Sequence, residues 1–265
     1  MKNTFLITLI ISCAYPFIGF SQDSTYIDDL AKETSIQHAT YIRYKTKTDS
    51  GWKVTDYWLN HKVQMTGLFV DDSCHTKQGE FNTYDTSGNH ITRIMYYRGK
   101  TEGKETYYYD NKQIRVEGNN KAGEHDGEWI GYFKDGKLSG KAVYEKGKQV
   151  SATFFDENGN QDHSKTVFQR EAVYPSGTAS LYQFLGQKLK YPNKAVRNNI
   201  QGRVVVQFKV TEEGKLTDIR LNTSVEKTLD AEALRVVRMI PDWEPAIIGG
   251  IPTYSYFKLP IDFKF

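Results

Sequence analysis

The last ten residues carry the sharpest alternation in the chain. Phe257, Leu259, Ile261, Phe263 and Phe265 alternate with Tyr256, Lys258, Pro260, Asp262 and Lys264. Successive side chains of a strand point to opposite faces, so this pattern predicts a strand with one buried and one solvated face. A hairpin is predicted upstream: Val204, Val206, Phe208 and Val210 alternate, Glu212-Glu213-Gly214-Lys215 turns, and Leu216 to Val225 returns with Ile219 and Leu221 on one face. Helical spacing appears at Leu181, Phe184, Leu185 and Leu189, predicting a helix over Ser180 to Leu189. Tyr191-Pro192 ends it, because the residue before a proline disfavours α geometry. A short helical turn fits Asn193 to Asn199. Ala233, Leu234, Val237 and Ile240 form the apolar stripe of another helix, with Asp230 as its opening cap and Pro241 as its stop.

Burying the five odd-numbered apolar residues of the last strand is worth on the order of 10 kcal/mol before entropy costs, and a one-residue slip forfeits it. Pro260 bears on where that strand lies. It has no N–H to donate, so a central strand would lose a ladder bond there, and proline argues for a sheet edge. Such an edge is either a template for an incoming extended peptide or an edge whose proline and lysines block unwanted pairing. The pattern itself leaves both open.

The middle of the chain repeats. Gly79, Gly103 and Gly127 are 24 residues apart, as are Tyr84, Tyr108 and Tyr132, and Gly99, Gly123 and Gly147. Coincident ladders at one period signal stacked supersecondary units. Each unit reads as strand, turn, strand, turn, with glycine supplying φ > 0 at the turns. Glu80 to Tyr84 is followed by Asp85-Thr86-Ser87-Gly88-Asn89, and Ile91 to Tyr97 by Arg98-Gly99-Lys100. Tyr57-Trp58-Leu59-Asn60 opens a degenerate first copy and Phe154 to Gly159 closes the last. The tyrosine ladder is either an exposed protein- or glycan-binding face or filling between hairpins. Gly127, Trp129 and Tyr132, with the Asp135-Gly136-Lys137-Leu138 turn, resemble MORN-type repeats of the bacterial YwqK-like kind. The resemblance implies a meandering sheet of hairpins.

Lys2 precedes an apolar run from Phe5 to Phe20, which ends with small residues at Gly19 and Ser21. This is a secretory signal pattern with cleavage expected after Ser21. Its 16 residues are short for a membrane span. Two other fates are open: retention as an anchor, or lipidation at Cys13 in the lipobox-like Ile10-Ile11-Ser12-Cys13. Cleavage would leave Cys74 as the single thiol, expected to be buried and inert unless it pairs between molecules.

Composition narrows the classes. In 265 residues, 35 basic side chains face 32 acidic ones, which gives no strong field for nucleic acid. Hydrophobic residues make up 38% and aromatics 14%, which excludes both a multi-span membrane protein and a solvated disordered chain. Two cysteines exclude a disulfide framework, and no His-x-x-x-His pair, phosphate loop or Gly-x-Ser-x-Gly elbow is present. Glu124-His125-Asp126-Gly127-Glu128 invites a metal or acid–base reading, but its place in the repeat predicts a solvated turn. Cys74-His75 is a nucleophile-like pair by residue type alone. No catalytic residue, metal ligand or cofactor is assigned.

From Ala179 to Phe265 the motifs line up in order: Tyr191-Pro192 with Ala195, Ile200-Gln201-Gly202-Arg203-Val204 entering Phe208, and Gly214-Lys215. Leu229-Asp230, Ala233-Leu234-Arg235, Pro241, Trp243, Pro245, Gly250, Pro252 and Leu259-Pro260-Ile261-Asp262-Phe263 follow. This string resembles the TonB C-terminal domain family. The resemblance implies a three-stranded antiparallel sheet with one long helix and short lead-in helices. Its last strand is then the edge that captures the TonB-box peptide of outer-membrane receptors. It implies Tyr254, Ser255, Tyr256, Phe257 and Lys258 as the peptide-pairing segment, and Lys188, Leu189, Lys190, Tyr191 and Pro192 as the receptor-contacting lead-in. The chain departs from full energy transducers in lacking a Pro/Lys-rich spanning segment; seven prolines are present in total.

The expected architecture is α+β. Residues 1–21 are the signal peptide, 22–56 a lead-in, 57–161 the repeat meander, 162–178 a linker with a lead-in strand over Val167 to Val173, and 179–265 the TonB-like domain. The expected location is the periplasm or cell envelope. The expected partners are outer-membrane TonB-dependent receptors, inner-membrane proton-channel proteins if the chain is anchored, and a second copy through the edge strand. The alternative is a structural envelope scaffold or a peptidoglycan-binding protein.

Overall fold

The computed structural model describes residues 24–28, 32–36 and 39–265. The signal, anchor and lipidation readings, Cys13 included, lie outside the described residues. Eleven strands run in chain order as one antiparallel sheet. They are β1 (Ser24–Ile27), β2 (Tyr41–Thr48), β3 (Gly51–Trp58), β4 (Val63–Phe69), β5 (Lys77–Tyr84), β6 (His90–Tyr97), β7 (Lys100–Tyr108), β8 (Ile114–Lys121), β9 (Glu124–Tyr132), β10 (Leu138–Glu145) and β11 (Lys148–Phe154). The sheet runs through residues set apart above as a lead-in. β2 and β3 pair in unbroken register from Tyr41↔Trp58 to Thr48↔Gly51. That hairpin has none of the glycine ladders, so the period does not reveal it.

The two glycine ladders do different work. Gly99, Gly123 and Gly147 follow Arg98, Ala122 and Lys146, and all six have positive φ. Two successive residues at φ > 0 make the type I′ turn that matches strand twist. Gly79, Gly103 and Gly127 are not in turns. They lie inside β5, β7 and β9 at φ 76, 83 and 72. There the register with the preceding strand jumps: Thr66↔Asn82 is followed by Leu68↔Gln78, and the same jump recurs in the next two copies. These are bulges, which bend the strand and raise its twist. One period is therefore two strands, one wider turn such as Asp85 to Asn89, one type I′ turn and one bulge.

The buried rung of the repeat is Phe81, Glu105 and Trp129, also 24 apart. Phe81 and Trp129 lie over Gly67 and Gly118, where a Cβ would come within 2.2 Å of each ring. The middle copy substitutes a buried carboxylate, which accepts a hydrogen bond from Asn120 Nδ2. The tyrosine ladder sits half-buried nearer the loops, with His90 stacked between Tyr84 and Tyr108 at 5.0 and 4.4 Å. Beyond β11, Phe168 is fully buried with Tyr144 and Phe154 and closes this core.

The rest of the chain forms β12 (Gln169–Arg170), α1 (Gly177–Lys188), α2 (Asn193–Arg197), β13 (Gly202–Val210), β14 (Leu216–Thr223), α3 (Lys227–Val237), β15 (Ala246–Ile248), β16 (Ile251–Thr253) and β17 (Ser255–Phe263). One sheet has the order β14-β13-β17 and a smaller one β12-β15-β16. The expected lead-in strand shrinks to β12 plus a bridge from Val173 to Glu244. The expected helices are present: α1, 12 residues, leads in, and α3, 11 residues, packs on the three-stranded sheet β14-β13-β17. Asp230 does not cap α3. Glu226 does, its carboxylate accepting from Thr228 N. Asp230 sits one turn in and instead accepts from Ser224 Oγ and Val225 N, tying the incoming loop to the helix. Residues Val204, Val206, Phe208 and Val210 of β13 meet Leu259, Ile261 and Phe263 of β17 and Leu229, Ala233 and Val236 of α3 in one core. Of the five alternating apolar residues, three are fully buried; Phe257 is half-buried and Phe265, past the strand end, is 64% exposed.

The eleven-stranded sheet meets the small β12-β15-β16 sheet where the β15–β16 turn, Gly249-Gly250, lies on β9 and β10. A Cβ on Gly131 would be 2.7 Å from Gly249 Cα, Ser139 Oγ donates to Gly249 O at 2.8 Å, and Gly250 N donates to Phe168 O at 2.8 Å. Backbone rests on backbone, which only glycine permits.

Candidate peptide-docking edge

β17 pairs with β13 residue for residue, from Gly202↔Phe263 to Val210↔Ser255, without a shift. Among the described residues no strand lies on its other side. The opposite margin, β14, is irregular: its register with β13 shifts twice, and Asp218 sits at φ 50. Bulged edges twist away from incoming strands, whereas a straight one invites them. Pro260 sets which main-chain groups face outward. Groups facing the partner and groups facing away alternate along an antiparallel edge. Proline fits only where no donor is owed to β13. Tyr256 and Lys258 share the parity of Pro260, so their N–H and C=O groups face the open side.

The five residues expected to pair with a peptide fall at the start of β17 with different roles. Tyr254 precedes the strand, exposed, with Lys209 Nζ 4.3 Å from its ring centre. Ser255 is half-buried opposite Val210. The Tyr256 side chain is 57% exposed, and Lys258 is also exposed. Phe257 faces the core, stacked on Phe208 at 5.6 Å and edge-on to Trp243 at 4.8 Å.

The lead-in segment sits elsewhere. Arg235 Nη2 donates to Lys188 O at 2.8 Å, and Lys190 N donates to Glu232 Oε1 at 2.6 Å, so α3 pins this stretch. Hydrogen bonding to Arg235 holds the Glu232 carboxyl below its ordinary range. Leu189 packs on the core; Tyr191 OH donates to Ile200 O at 2.6 Å and its ring stacks on Phe265 at 5.0 Å. Pro192 is the N-cap of α2. The segment thus borders the far end of β17, roughly 24 Å from Tyr256 at the strand rise of ~3.4 Å per residue. The two sets of residues mark opposite ends of one strand. Between them Arg203 and Asp262 face each other across β13 and β17 in a bidentate pair, 2.6 and 2.9 Å. That bond holds the Asp262 carboxyl below its ordinary range. Only the register brings these two residues, 59 apart, together, so no sequence pattern flags the pair.

The other chemically suggestive residues do not converge. The stretch Glu124 to Glu128 is not a turn but the start of β9, because the type I′ turn falls earlier, at Ala122-Gly123. His125 lies 3.8 Å from the Trp129 ring, and burial lowers its pKa. Cys74 is half-buried, its Sγ 3.5 Å from Asp72 O, and burial raises its thiol pKa. The His75 ring leans instead toward Asp71. Among the described residues no group of three His, Cys, Asp or Glu is placed to hold a metal ion, and no helix is long and apolar enough to cross a membrane.

Comparison with known proteins bears on the C-terminal end of the chain. No curated protein matches the chain. Among solved structures, the solution structure of the Helicobacter pylori TonB C-terminal domain is 23% identical, covering 33% of this chain and 78% of that one, with a TM-score of 0.27. The family evidence rests on sequence. Residues 187–265 match the family described as Gram-negative bacterial TonB protein C-terminal, so the C-terminal part of this chain, with the sheet β14-β13-β17 and helix α3, is of the TonB C-terminal type.

Proposed function

We propose that the chain works in the bacterial cell envelope by adding an extended peptide to β17, and that the peptide is the TonB-box segment of an outer-membrane TonB-dependent receptor. One observation carries the proposal: β17 is a straight strand of nine residues, paired on one side alone. Main-chain hydrogen bonds from such an edge give affinity, and side chains at alternate positions give selectivity. Tyr256 and Lys258 supply the outward main-chain groups, and Tyr254 and Tyr256, with ring centres 6.1 Å apart, supply aromatic surface beside them. The Lys188 to Pro192 stretch, held rigid by Glu232 and Arg235, gives the far end of the guest a fixed wall. The role is binding rather than chemistry. The same edge is the surface on which two copies of the chain would pair, in competition with the guest.

The test is calorimetric titration of the full chain with a receptor plug peptide. Tyr256→Pro removes one outward donor and leaves the β13 ladder intact, so affinity drops at least tenfold while the circular dichroism spectrum stays unchanged. Undiminished binding by that variant overturns strand addition.

A further inference from the structure

Tyr254 does more than precede the edge strand. It forms one wall of a cleft of about 390 Å³ between the repeat region and the C-terminal part. The repeat sheet contributes Tyr108, Tyr109 and Arg115, and the C-terminal part contributes Glu212, Pro252 and Tyr254. The Gly131–Gly249 contact fixes the two sides against each other.

Arg115 is the unusual member. Its guanidinium carbon lies 5.3 Å from the Tyr109 ring centre, and its Nε is buried without a hydrogen-bond partner. Among the described residues no carboxylate forms an ion pair with it, although three acids, Asp85, Asp110 and Glu212, line the same cleft. Two of those acids are engaged. Asp85 accepts from Ser87 N, Asn89 N and Asn89 Nδ2 of its own turn, and Asp110 is paired with Lys134 at 2.6 Å. Glu212 acts on Arg115 at longer range. A buried, unsatisfied guanidinium donor is costly unless a ligand completes it, and the guanidinium fork fits a carboxylate.

We infer that this cleft takes an acidic side chain of the docked peptide, held by Arg115 between Tyr109 and Tyr254. The inference rests on strand addition at β17. A guest paired at Tyr256 and Lys258 extends past the start of the strand, where one or two residues at ~3.4 Å each reach the level of Tyr254. The cleft thus adds a sequence requirement, an acid just outside the paired segment, that main-chain pairing lacks.

The experiment uses the full chain and a ten-residue peptide from a receptor plug, synthesised with Glu or with Gln at the position flanking each end of the paired segment. Affinity is read by fluorescence anisotropy against the native chain, Arg115→Gln and Tyr256→Pro. A charge-assisted hydrogen bond predicts that the native chain prefers the Glu peptide about tenfold or more, and that Arg115→Gln abolishes the preference. The Arg115 Nε–H resonance should shift with the Glu peptide and not with the Gln peptide, a readout independent of how well the variant folds. Equal affinity for the two peptides, or no binding of either, overturns the inference. If Tyr256→Pro weakens both peptides equally, strand addition stands whatever Arg115 does. If the Glu preference survives undiminished total affinity in Tyr256→Pro, strand addition fails and the carboxylate site stands alone.

Discussion

Gly131→Ala tests how the two sheets are joined. Gly131 does not have positive φ, so alanine adds no backbone strain, and the effect is purely steric. Its Cβ would sit 2.7 Å from Gly249 Cα, 2.8 Å from Ser139 Oγ and 2.9 Å from Gly249 O. Two of these three atoms are main chain and cannot swing aside. Overpacking a tight contact costs about 1–3 kcal/mol. Displacing the turn also breaks the Ser139–Gly249 hydrogen bond, worth about 1 kcal/mol. The sum is about 2–4 kcal/mol. Urea unfolding followed by tryptophan fluorescence reads it, because Trp129 reports the repeat core and Trp243 the C-terminal core. The midpoint should fall, and the single transition should split as the two cores lose contact. Gly186→Ala is the comparison: its added Cβ meets nothing within 4 Å inside α1, so helix propensity alone raises stability by about 1 kcal/mol. A Gly131→Ala chain as stable as the native one, still unfolding in one step, would refute the backbone-on-backbone joint.

Trp129→Ala empties a position of 0% exposure and should cost about 3–5 kcal/mol, seen as a lower urea midpoint and a lost near-ultraviolet signal. Asp56→Asn leaves Arg43 buried without its bidentate partner, now at 2.8 Å on both bonds, and should cost about 3–5 kcal/mol in the same assay. Several turn aspartates are held below the ordinary carboxylate range; for Asp156 the Asn160 amide is the first cause and its side chain the second. A depressed folded-state pKa stabilises above the unfolded value and is lost as pH falls through the folded one, so stability should decline below about pH 4. Thermal melts across pH 2–6 check this, and Asp156→Asn should flatten part of the slope.

How much of this was legible in the sequence differs from element to element. Alternation located β13 and β17 because each buries one face and wets the other. Pro260 identified the edge because a missing donor is a local fact that no tertiary context restores. The 24-residue period located the repeat, but its landmarks misled. Tyr84 and Tyr108 are conspicuous by type, while the buried rung is Phe81, Glu105 and Trp129, which shares the spacing but not the chemistry. A position that alternates aromatic, carboxylate, aromatic does not announce itself as core. The β2–β3 hairpin lacks the glycines that mark the other copies. Asp230 looked like a cap because it precedes the apolar stripe, yet the helix starts a turn earlier where Glu226 reaches Thr228 N. Gly249-Gly250 carries no local sign of being the joint between sheets, a role that depends on residues more than a hundred positions away. Arg115 carries no local signal either, since its lack of a partner exists only after folding.

Amide hydrogen exchange along β17, residue by residue, with and without a receptor plug peptide, probes the open edge most directly. In the unliganded chain the Tyr256 amide should exchange fast while Phe257, Leu259 and Ile261, bonded to β13, exchange slowly; peptide should slow Tyr256. Protection of Tyr256 before any peptide is added, or exchange there that peptide leaves unchanged, would contradict the account.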